Sequence, residues 1–208
     1  MSFYLKLINN VSNPKGFLGK LTLNMMNAGH SSISKWGLNL IPKEKQFNNI
    51  ADIGCGGGKN IERLLNMYPE AMVTGVDYSK ESVEKSIRLN KQACIDHRVE
   101  VTRSDVSSLP IKDSSFDLIC AFETIYFWPG PTKSYKEIYR TLKDNGMFLI
   151  VLEVTGDTKS AEKWESCIVG MKAYTEEEII TDLRTVGFRD FKTYYKEGRD
   201  WFALLASK

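Results

Sequence analysis

One stretch decides the fold of this chain, and it reads Asp52-Ile53-Gly54-Cys55-Gly56-Gly57-Gly58-Lys59-Asn60. The run 50–53 predicts the end of a buried strand, and apolar residues then recur at helical spacing: Ile61, Leu64, Leu65 and Tyr68. A glycine-rich turn between a strand and a helix lets a ligand approach the bare backbone, and it points the free N–H groups of the helix at an anion. The stretch therefore predicts a site for a nucleotide-like ligand.

The spacing of these glycines fits neither of two common nucleotide motifs. The dinucleotide fingerprint Gly-x-Gly-x-x-Gly needs a third glycine where this chain has Lys59. A P-loop needs Gly-Lys-Ser/Thr at a spacing that the stretch lacks. What remains is Asp-x-Gly-x-Gly-Gly-Gly, from Asp52 to Gly58, which resembles the first motif of class I S-adenosylmethionine (SAM)-dependent methyltransferases. Taken alone, the motif is also compatible with an ordinary glycine-rich turn.

An acidic residue follows the next strand at the spacing that a nucleoside site requires. Residues 72–76 have the pattern of a buried strand, and Asp77 ends it. About 20 residues past such a glycine turn, a carboxylate accepts hydrogen bonds from the ribose hydroxyls. Asp77 could instead cap the next helix, but Ser79 is better placed for that role. The stripe predicted for the buried face of that helix is Val83, Ile87, Asn90 and Cys94.

A third strand, residues 99–101, leads into Asp105 and Val106. This passage resembles the methyltransferase segment in which an acidic residue and the backbone of its neighbour meet the adenine amino group and ring nitrogen. A lone aspartate after a strand is more often a turn residue. Its place in a third consecutive unit of strand and acid favours the adenine contact for Asp105.

The resemblance continues through a fourth and a fifth strand. Residues 116–122 predict a strand that ends in Glu123-Thr124-Ile125-Tyr126-Phe127-Trp128-Pro129, and a helix then leads through Asp144-Asn145-Gly146 into an apolar run. The motifs resemble the methyltransferase family, in order, over roughly residues 48–153. The small-molecule branch of the family is the best match, because the Asn/Asp-Pro-Pro-Tyr/Phe motif and the Pro-Cys dipeptide that the resemblance associates with nucleic-acid and protein substrates are absent.

The predicted fold class is α/β. Strands alternating with helices predict a mostly parallel sheet, and residues 191–196 and 201–206 predict a closing hairpin after a helix that Thr175-x-x-Glu178 caps. The resemblance implies a three-layer αβα sandwich around a seven-stranded sheet whose last strand is antiparallel, with an N-terminal helical lid. We expect one methyltransferase domain over 1–208, with the lid in 1–49, the cofactor-binding core in 50–153, and the connector, helix and hairpin in 154–208.

The resemblance implies SAM as the cofactor. Ligands of such sheets lie outside the carboxyl ends of the strands. The predicted cofactor-binding residues lie at or near those ends: Asp52, Gly54, Gly56, Asp77, Tyr78, Asp105, Val106 and Phe122. Aromatic faces attract a cationic sulfur, so the cluster of Phe122, Tyr126, Phe127 and Trp128 could line the site, or it could pack the sheet edge.

A sulfonium methyl is already activated, so its transfer by in-line displacement needs alignment and exclusion of water more than a strong catalyst. If the acceptor needs a general base, the candidates are Glu123, His30 and Tyr126, with Glu153 as a further one. A single histidine near a helix start is more often a cap or a surface residue. Two histidines and cysteines without paired spacing disfavour a metal site.

The first 49 residues are predicted to close over the cofactor. Residues 18–27 predict one helix that Gly29 ends, and a second opens near Ser31. The apolar face of the second helix is predicted to be Ile33, Trp36, Leu40 and Ile41. A lid that excludes water would protect the sulfonium and align the acceptor.

Composition fits a small enzyme. The net charge of +2 gives no electrostatic case for nucleic acid or a membrane surface, and the N-terminus lacks the apolar core of a signal peptide. We therefore expect a cytoplasmic monomer or homodimer that acts on a small organic acceptor. Two alternatives stay open: a non-catalytic SAM-binding regulatory module, and an NAD(P)-dependent oxidoreductase, against which the Lys59 mismatch argues.

Overall fold

The computed structural model describes residues 31–208, which form a seven-stranded sheet with helices on both faces. The strands are β1 (Asn49–Ile53), β2 (Met72–Asp77), β3 (Val99–Arg103), β4 (Phe116–Phe122), β5 (Leu142–Leu152), β6 (Arg189–Tyr195) and β7 (Phe202–Ser207). Their order is β3-β2-β1-β4-β5-β7-β6. The pairs among β1 to β5 are parallel, whereas β7 is antiparallel to β5 and β6. The predicted fold class and closing hairpin are confirmed.

The helices are α1 (Ser31–Leu38), α2 (Lys59–Met67), α3 (Lys80–Leu89), α4 (Lys91–Ile95), α5 (Pro131–Thr141), α6 (Ala161–Cys167) and α7 (Glu176–Val186). Two of them begin at the predicted caps. The Ser79 hydroxyl accepts the N–H of Ser82 at the start of α3, and Thr175 and Glu178 form a reciprocal capping box at α7. In the described part of the chain, no helix is long and apolar enough to cross a bilayer.

The sheet feeds two apolar cores, because successive side chains of a strand point to opposite faces. On one face, Ile119 of β4 and Phe148 of β5 pack with residues of α5 and α7. On the other face, Leu118 and Leu149 pack with residues of α1 and α2. Asp52 and Asp77 alternate with Ala51, Ile53 and Val76, which belong to the first core. Their side chains therefore lie on the face that α1 and α2 cover.

Helix α1 packs against the sheet and contributes to the core. Ile33 and Leu38 are buried, while Trp36 is half-buried. A Cβ on Gly37 would lie 2.4 Å from Cγ2 of Val151, so the α1 backbone packs directly on β5. The described part of the predicted lid, helix α1, thus packs on the sheet in this structure. The first predicted helix and His30 lie outside the described residues, and the lid remains a prediction for them.

Asn90 of the predicted stripe is buried, but the buried face of α3 itself differs from the prediction. The residues that face inward are Ser82 and Ser86, and Ile87 is 40% exposed. The reason is close packing on the glycine turn: a Cβ on Gly58 would lie 2.4 Å from the Ser86 hydroxyl oxygen. Asn90, just past α3, donates from Nδ2 to the carbonyls of Gly58 (3.1 Å) and Ser86 (3.0 Å). Small polar side chains therefore let α3 brace the turn.

Candidate cofactor site

The glycine turn between β1 and α2 follows a backbone path that favours glycine. Gly54, Gly56 and Gly58 have φ angles of +78°, +51° and +79°. A Cβ on Gly54 would lie 2.1 Å from the hydroxyl oxygen of Thr124. Gly54 and Gly58 are therefore required by conformation and by space. Gly58 was missed among the predicted site residues, because the glycine run gives no signal of which member touches α3.

Asp77 fastens this turn to the end of β2. Its Oδ2 accepts the N–H of Gly56 (2.9 Å), and its Oδ1 accepts the N–H of Ser79 (2.8 Å). Burial raises the pKa of Asp77, and the N–H donors of Ser79 and Gly56 act in the opposite direction. A carboxylate has about four lone-pair sites, so both oxygens can still accept from ribose hydroxyls. The predicted ribose contact is compatible with this geometry and stays a prediction.

Asp52, at the end of β1, has an orphaned carboxylate oxygen. The residue is 1% exposed, and its Oδ2 has no hydrogen-bond partner among the described residues. Burial raises the pKa of Asp52 to about 7, nearby Asp77 adds to the rise, and Arg63 opposes it. Buried polar atoms are normally paired, so an unpaired carboxylate oxygen in a glycine cradle fits the cationic end of a ligand such as SAM.

Asp105 and Val106, which are predicted for the adenine, follow β3, and Tyr78, another predicted cofactor residue, follows the neighbouring strand β2. Tyr78 is 41% exposed, Val106 is buried and Asp105 is exposed. One oxygen of Asp105 accepts the N–H of Ser107 (2.8 Å), which is the contact of a turn residue. The adenine role of Asp105 therefore rests on its second oxygen and stays a prediction.

Glu123 links the ends of β4 and β5. Its backbone is left-handed, with φ +57°, and its Oε1 accepts the N–H of Glu153. Its own N–H donates to the carbonyl of Val151 (2.9 Å). Burial and then the neighbouring Glu153 carboxylate raise the pKa of Glu123 well above its usual range, although the N–H of Glu153 opposes this. Phe122, just before it, is buried at the end of β4.

Three of the four predicted aromatic residues, Phe122, Tyr126 and Trp128, are buried in the apolar cores. The Tyr126 hydroxyl donates to the carbonyl of Val154 (2.9 Å) and accepts its N–H (3.1 Å). Trp128 stacks on Phe148, with ring centroids 6.3 Å apart, and its Nε1 donates to Thr124 (3.2 Å). The hydroxyl of Tyr126 is thus engaged on both sides, which argues against Tyr126 as a base. Nothing in the run of aromatic residues marks which of them face inward.

A groove of about 350 Å³ lies elsewhere, against the start of α7. It is lined by Pro131, Lys172, Tyr174, Thr175, Glu177, Glu178, Thr181 and Asp182. Lys172 and Glu178 form an ion pair across it, with 3.6 Å between Nζ and Oε1. None of the predicted cofactor residues lines this groove, so it is separate from the candidate site.

A mostly parallel sheet with a glycine cradle and carboxylates at its strand ends is typical of proteins that bind a nucleoside cofactor. Residues 51–150 match the methyltransferase domain family. A crystal structure of a SAM-dependent methyltransferase from Thermotoga maritima, titled a possible histamine N-methyltransferase, superposes with a TM-score of 0.71. It is 21% identical, and the match covers 92% of this chain and 95% of that one. Residues 51–150 thus carry a class I methyltransferase domain, and the cofactor of that family is SAM.

Two curated relatives show how much of the chain is similar to known proteins. The 27-O-demethylrifamycin SV methyltransferase of Amycolatopsis mediterranei is 30% identical over 146 residues, which are 67% of this chain and 53% of that enzyme. The uncharacterized methyltransferase YdaC of Bacillus subtilis is 23% identical over 183 residues, covering 88% and 94%. The chain spans between 29% and 53% of the length of several curated relatives that it matches.

Proposed function

We propose that this protein transfers the methyl group of SAM to a small organic acceptor held near the ends of β4 and β5. One observation carries the proposal. The orphaned Asp52, the glycine turn, Asp77 and the raised-pKa carboxyl of Glu123 all lie at the carboxyl ends of the adjacent strands β2, β1 and β4. Ligands of open α/β sheets bind outside those ends.

Different residues of the chain serve different steps of this reaction. When bound, SAM supplies an activated methyl group. Asp77 and the glycine turn orient the nucleoside, and positioning of that kind accounts for roughly 7–11 kcal/mol of barrier lowering in well-oriented systems. Glu123 holds or takes up the proton that an N–H or O–H acceptor loses. A carboxyl with a raised pKa is a stronger base once it is ionised.

The proposed acceptor class draws on names as well as geometry. The Amycolatopsis relative is named for 27-O-demethylrifamycin SV, and the Thermotoga structure is titled a possible histamine N-methyltransferase. Because these acceptors differ in kind, we carry over only the class of a small organic molecule with an oxygen or nitrogen nucleophile. A carboxyl at Glu123, beside Glu153, favours neutral or cationic acceptors over carboxylates.

The experiment is incubation with methyl-labelled SAM and a fractionated metabolite extract, followed by identification of the labelled product. We expect label in a small-molecule fraction with the wild type and none with Asp77→Ala. Binding of S-adenosylhomocysteine (SAH) without any transfer would instead support the non-catalytic binding module. Quenching of tryptophan fluorescence by NADH but not by SAM would overturn the proposal in favour of the oxidoreductase.

A further inference from the structure

Thr124 lies between the glycine turn and the proposed proton acceptor. Along the chain it directly follows Glu123, and its side chain lies against the first glycine of the turn. A Cβ on Gly54 would lie 2.1 Å from Oγ1, 2.6 Å from Cβ and 3.0 Å from Cγ2 of Thr124. The contact therefore involves the whole side chain of Thr124, and it leaves no room for a side chain at position 54.

Gly54 is held from its other side by β2. Its N–H donates to the carbonyl of Val76 (2.7 Å), and the N–H of Cys55 donates to the same carbonyl (3.0 Å). Strands β2 and β4 flank β1 on either side, so the first part of the turn is confined between the end of β2 and Thr124, just past β4. Thr124 thus limits how far the turn can move toward the segment that follows β4.

The hydroxyl of Thr124 contacts an indole instead of its own backbone. Thr124 precedes a single 3-10 turn, Ile125–Phe127, but no N–H of that turn donates to its side chain. A threonine in such a position commonly accepts one. Its Oγ1 instead accepts the Nε1 N–H of Trp128 (3.2 Å). Trp128 is buried and stacks on Phe148 of β5, with 13° between the ring planes, so the core fixes the orientation of the Thr124 side chain.

We propose that Thr124 is a positioning residue for methyl transfer, which sets the distance between the glycine turn that holds the cofactor and the carboxyl of Glu123. The inference rests on the proposed function and adds to it a side chain that acts through Gly54 and Glu123. A misplacement of about 1 Å between reacting groups costs on the order of 100-fold in rate. A contact that keeps the two segments in register can therefore govern turnover while contributing little to the affinity for the cofactor.

The first test is the fluorine NMR spectrum of protein labelled with fluorotryptophan, recorded during a titration with SAH. The resonance of Trp128 is assigned by its loss in Trp128→Phe. We expect SAH to shift this resonance in the wild type and Thr124→Val to lose most of the shift, because valine keeps the shape of threonine but not the hydroxyl that contacts the indole. Trp164, which lies on α6 and is 37% exposed, is the internal reference that SAH should leave in place.

The second test separates rate from affinity, with labelled SAM and the extract fraction in which the wild type places its label. We expect Thr124→Val to lower turnover about tenfold while SAH affinity stays within about twofold. Thr124→Ser keeps the hydroxyl and should keep at least about half of the turnover. Thr141→Val is the matched control, because it removes a buried threonine hydroxyl that donates only to carbonyls of its own helix, α5. It should lower the unfolding temperature but change neither turnover nor the Trp128 shift.

The outcomes are distinguishable. Equal loss of turnover in Thr124→Val and Thr141→Val would attribute the loss to stability and overturn the inference. A Trp128 resonance that SAH leaves in place in the wild type, or shifts equally in Thr124→Val, would overturn it as well. Failure of the wild type to bind SAH, or to label any fraction, would instead overturn the proposed function.

Discussion

The two regions of the carboxyl edge are built in different ways. At the cofactor edge, which comprises residues 52–58 and 77–79, backbone N–H groups and missing Cβ atoms set the geometry. At the acceptor edge, which comprises residues 122–128 and 153–154, side chains set it: Glu123 reaches the N–H of Glu153, and the Tyr126 hydroxyl holds Val154. A backbone-built region tolerates little change, whereas a side-chain-built region can accept new residues and therefore new acceptors.

The strongest test of this contrast is Gly54→Ala. We expect it to lower the free energy of unfolding by about 4 kcal/mol, because it adds both left-handed strain and a clash with Thr124. SAH binding should be lost with it. Gly170→Ala is the matched control, because Gly170 has nearly the same φ (+79°) but nothing within 4 Å of an added Cβ. The control should cost only about 1 kcal/mol in urea unfolding.

Equal losses in the two variants would show that conformation alone matters at Gly54. The close approach of Gly54 to Thr124 would then contribute nothing to the free energy of unfolding. The proposed difference between the two edges would not hold at Gly54.

Asp52 makes the cofactor edge sensitive to pH. Burial raises the folded-state pKa of Asp52 from its ordinary value of 3.8 to about 7, so the stability that this group contributes to the unliganded protein is fully present below about pH 4 and is lost as the pH rises to about 7. At about 1.4 kcal/mol per pH unit, the loss between pH 5 and pH 7 is about 2–3 kcal/mol. Asp52→Asn should remove this component of the pH dependence in chemical unfolding.

Asp96→Asn, which removes an exposed carboxyl in contact with Gln92, is the control for loss of a carboxyl as such. An Asp52→Asn profile parallel to that of the wild type would show that Asp52 is ionised in the folded protein throughout this range.

The contribution of the cofactor edge to ligand binding can be tested at Asp77. Asp77→Ala should weaken SAH binding at least tenfold, because ribose hydroxyls lose a charged acceptor worth about 1.5–3 kcal/mol. The structure adds a cost in stability, since the N–H groups of Gly56 and Ser79 lose their acceptor as well. Calorimetry on the folded fraction separates the two effects. Unchanged affinity for SAH would remove the ribose assignment.

The smallest effect is expected at the acceptor edge, from Tyr126→Phe. Loss of the hydroxyl removes a hydrogen-bond partner from both the N–H and the carbonyl of Val154. This should lower the free energy of unfolding by roughly 1–2 kcal/mol, with no change in SAH affinity. The pH profile of methyl transfer should also stay the same. Glu123→Gln should instead flatten that profile, because it removes the proposed proton acceptor. A shifted profile in Tyr126→Phe would return the hydroxyl to the list of bases.

The same contrast explains what the sequence predicts well. The glycine turn, Asp77 and the succession of strands and helices follow from local rules, because apolar periodicity marks the elements and turn residues mark their ends. Packing between elements that are distant in the sequence leaves no such local signal. In the sequence, the buried serines of α3 have the pattern of an exposed polar face, and only the structure shows that Gly58 packs against them. The burial of Trp128 likewise depends on its contact with Phe148, which lies in a later strand.

Hydrogen exchange with and without SAH tests the central claim most directly, that the cofactor lies on the glycine turn and the end of β2. We expect added protection at residues 54–60 and 77–79, with little change in α1, which is already packed on β5. Further protection before Ser31 would support the predicted lid. Protection confined to the groove at residues 172–182, or no change at residues 54–60 and 77–79, would contradict the account.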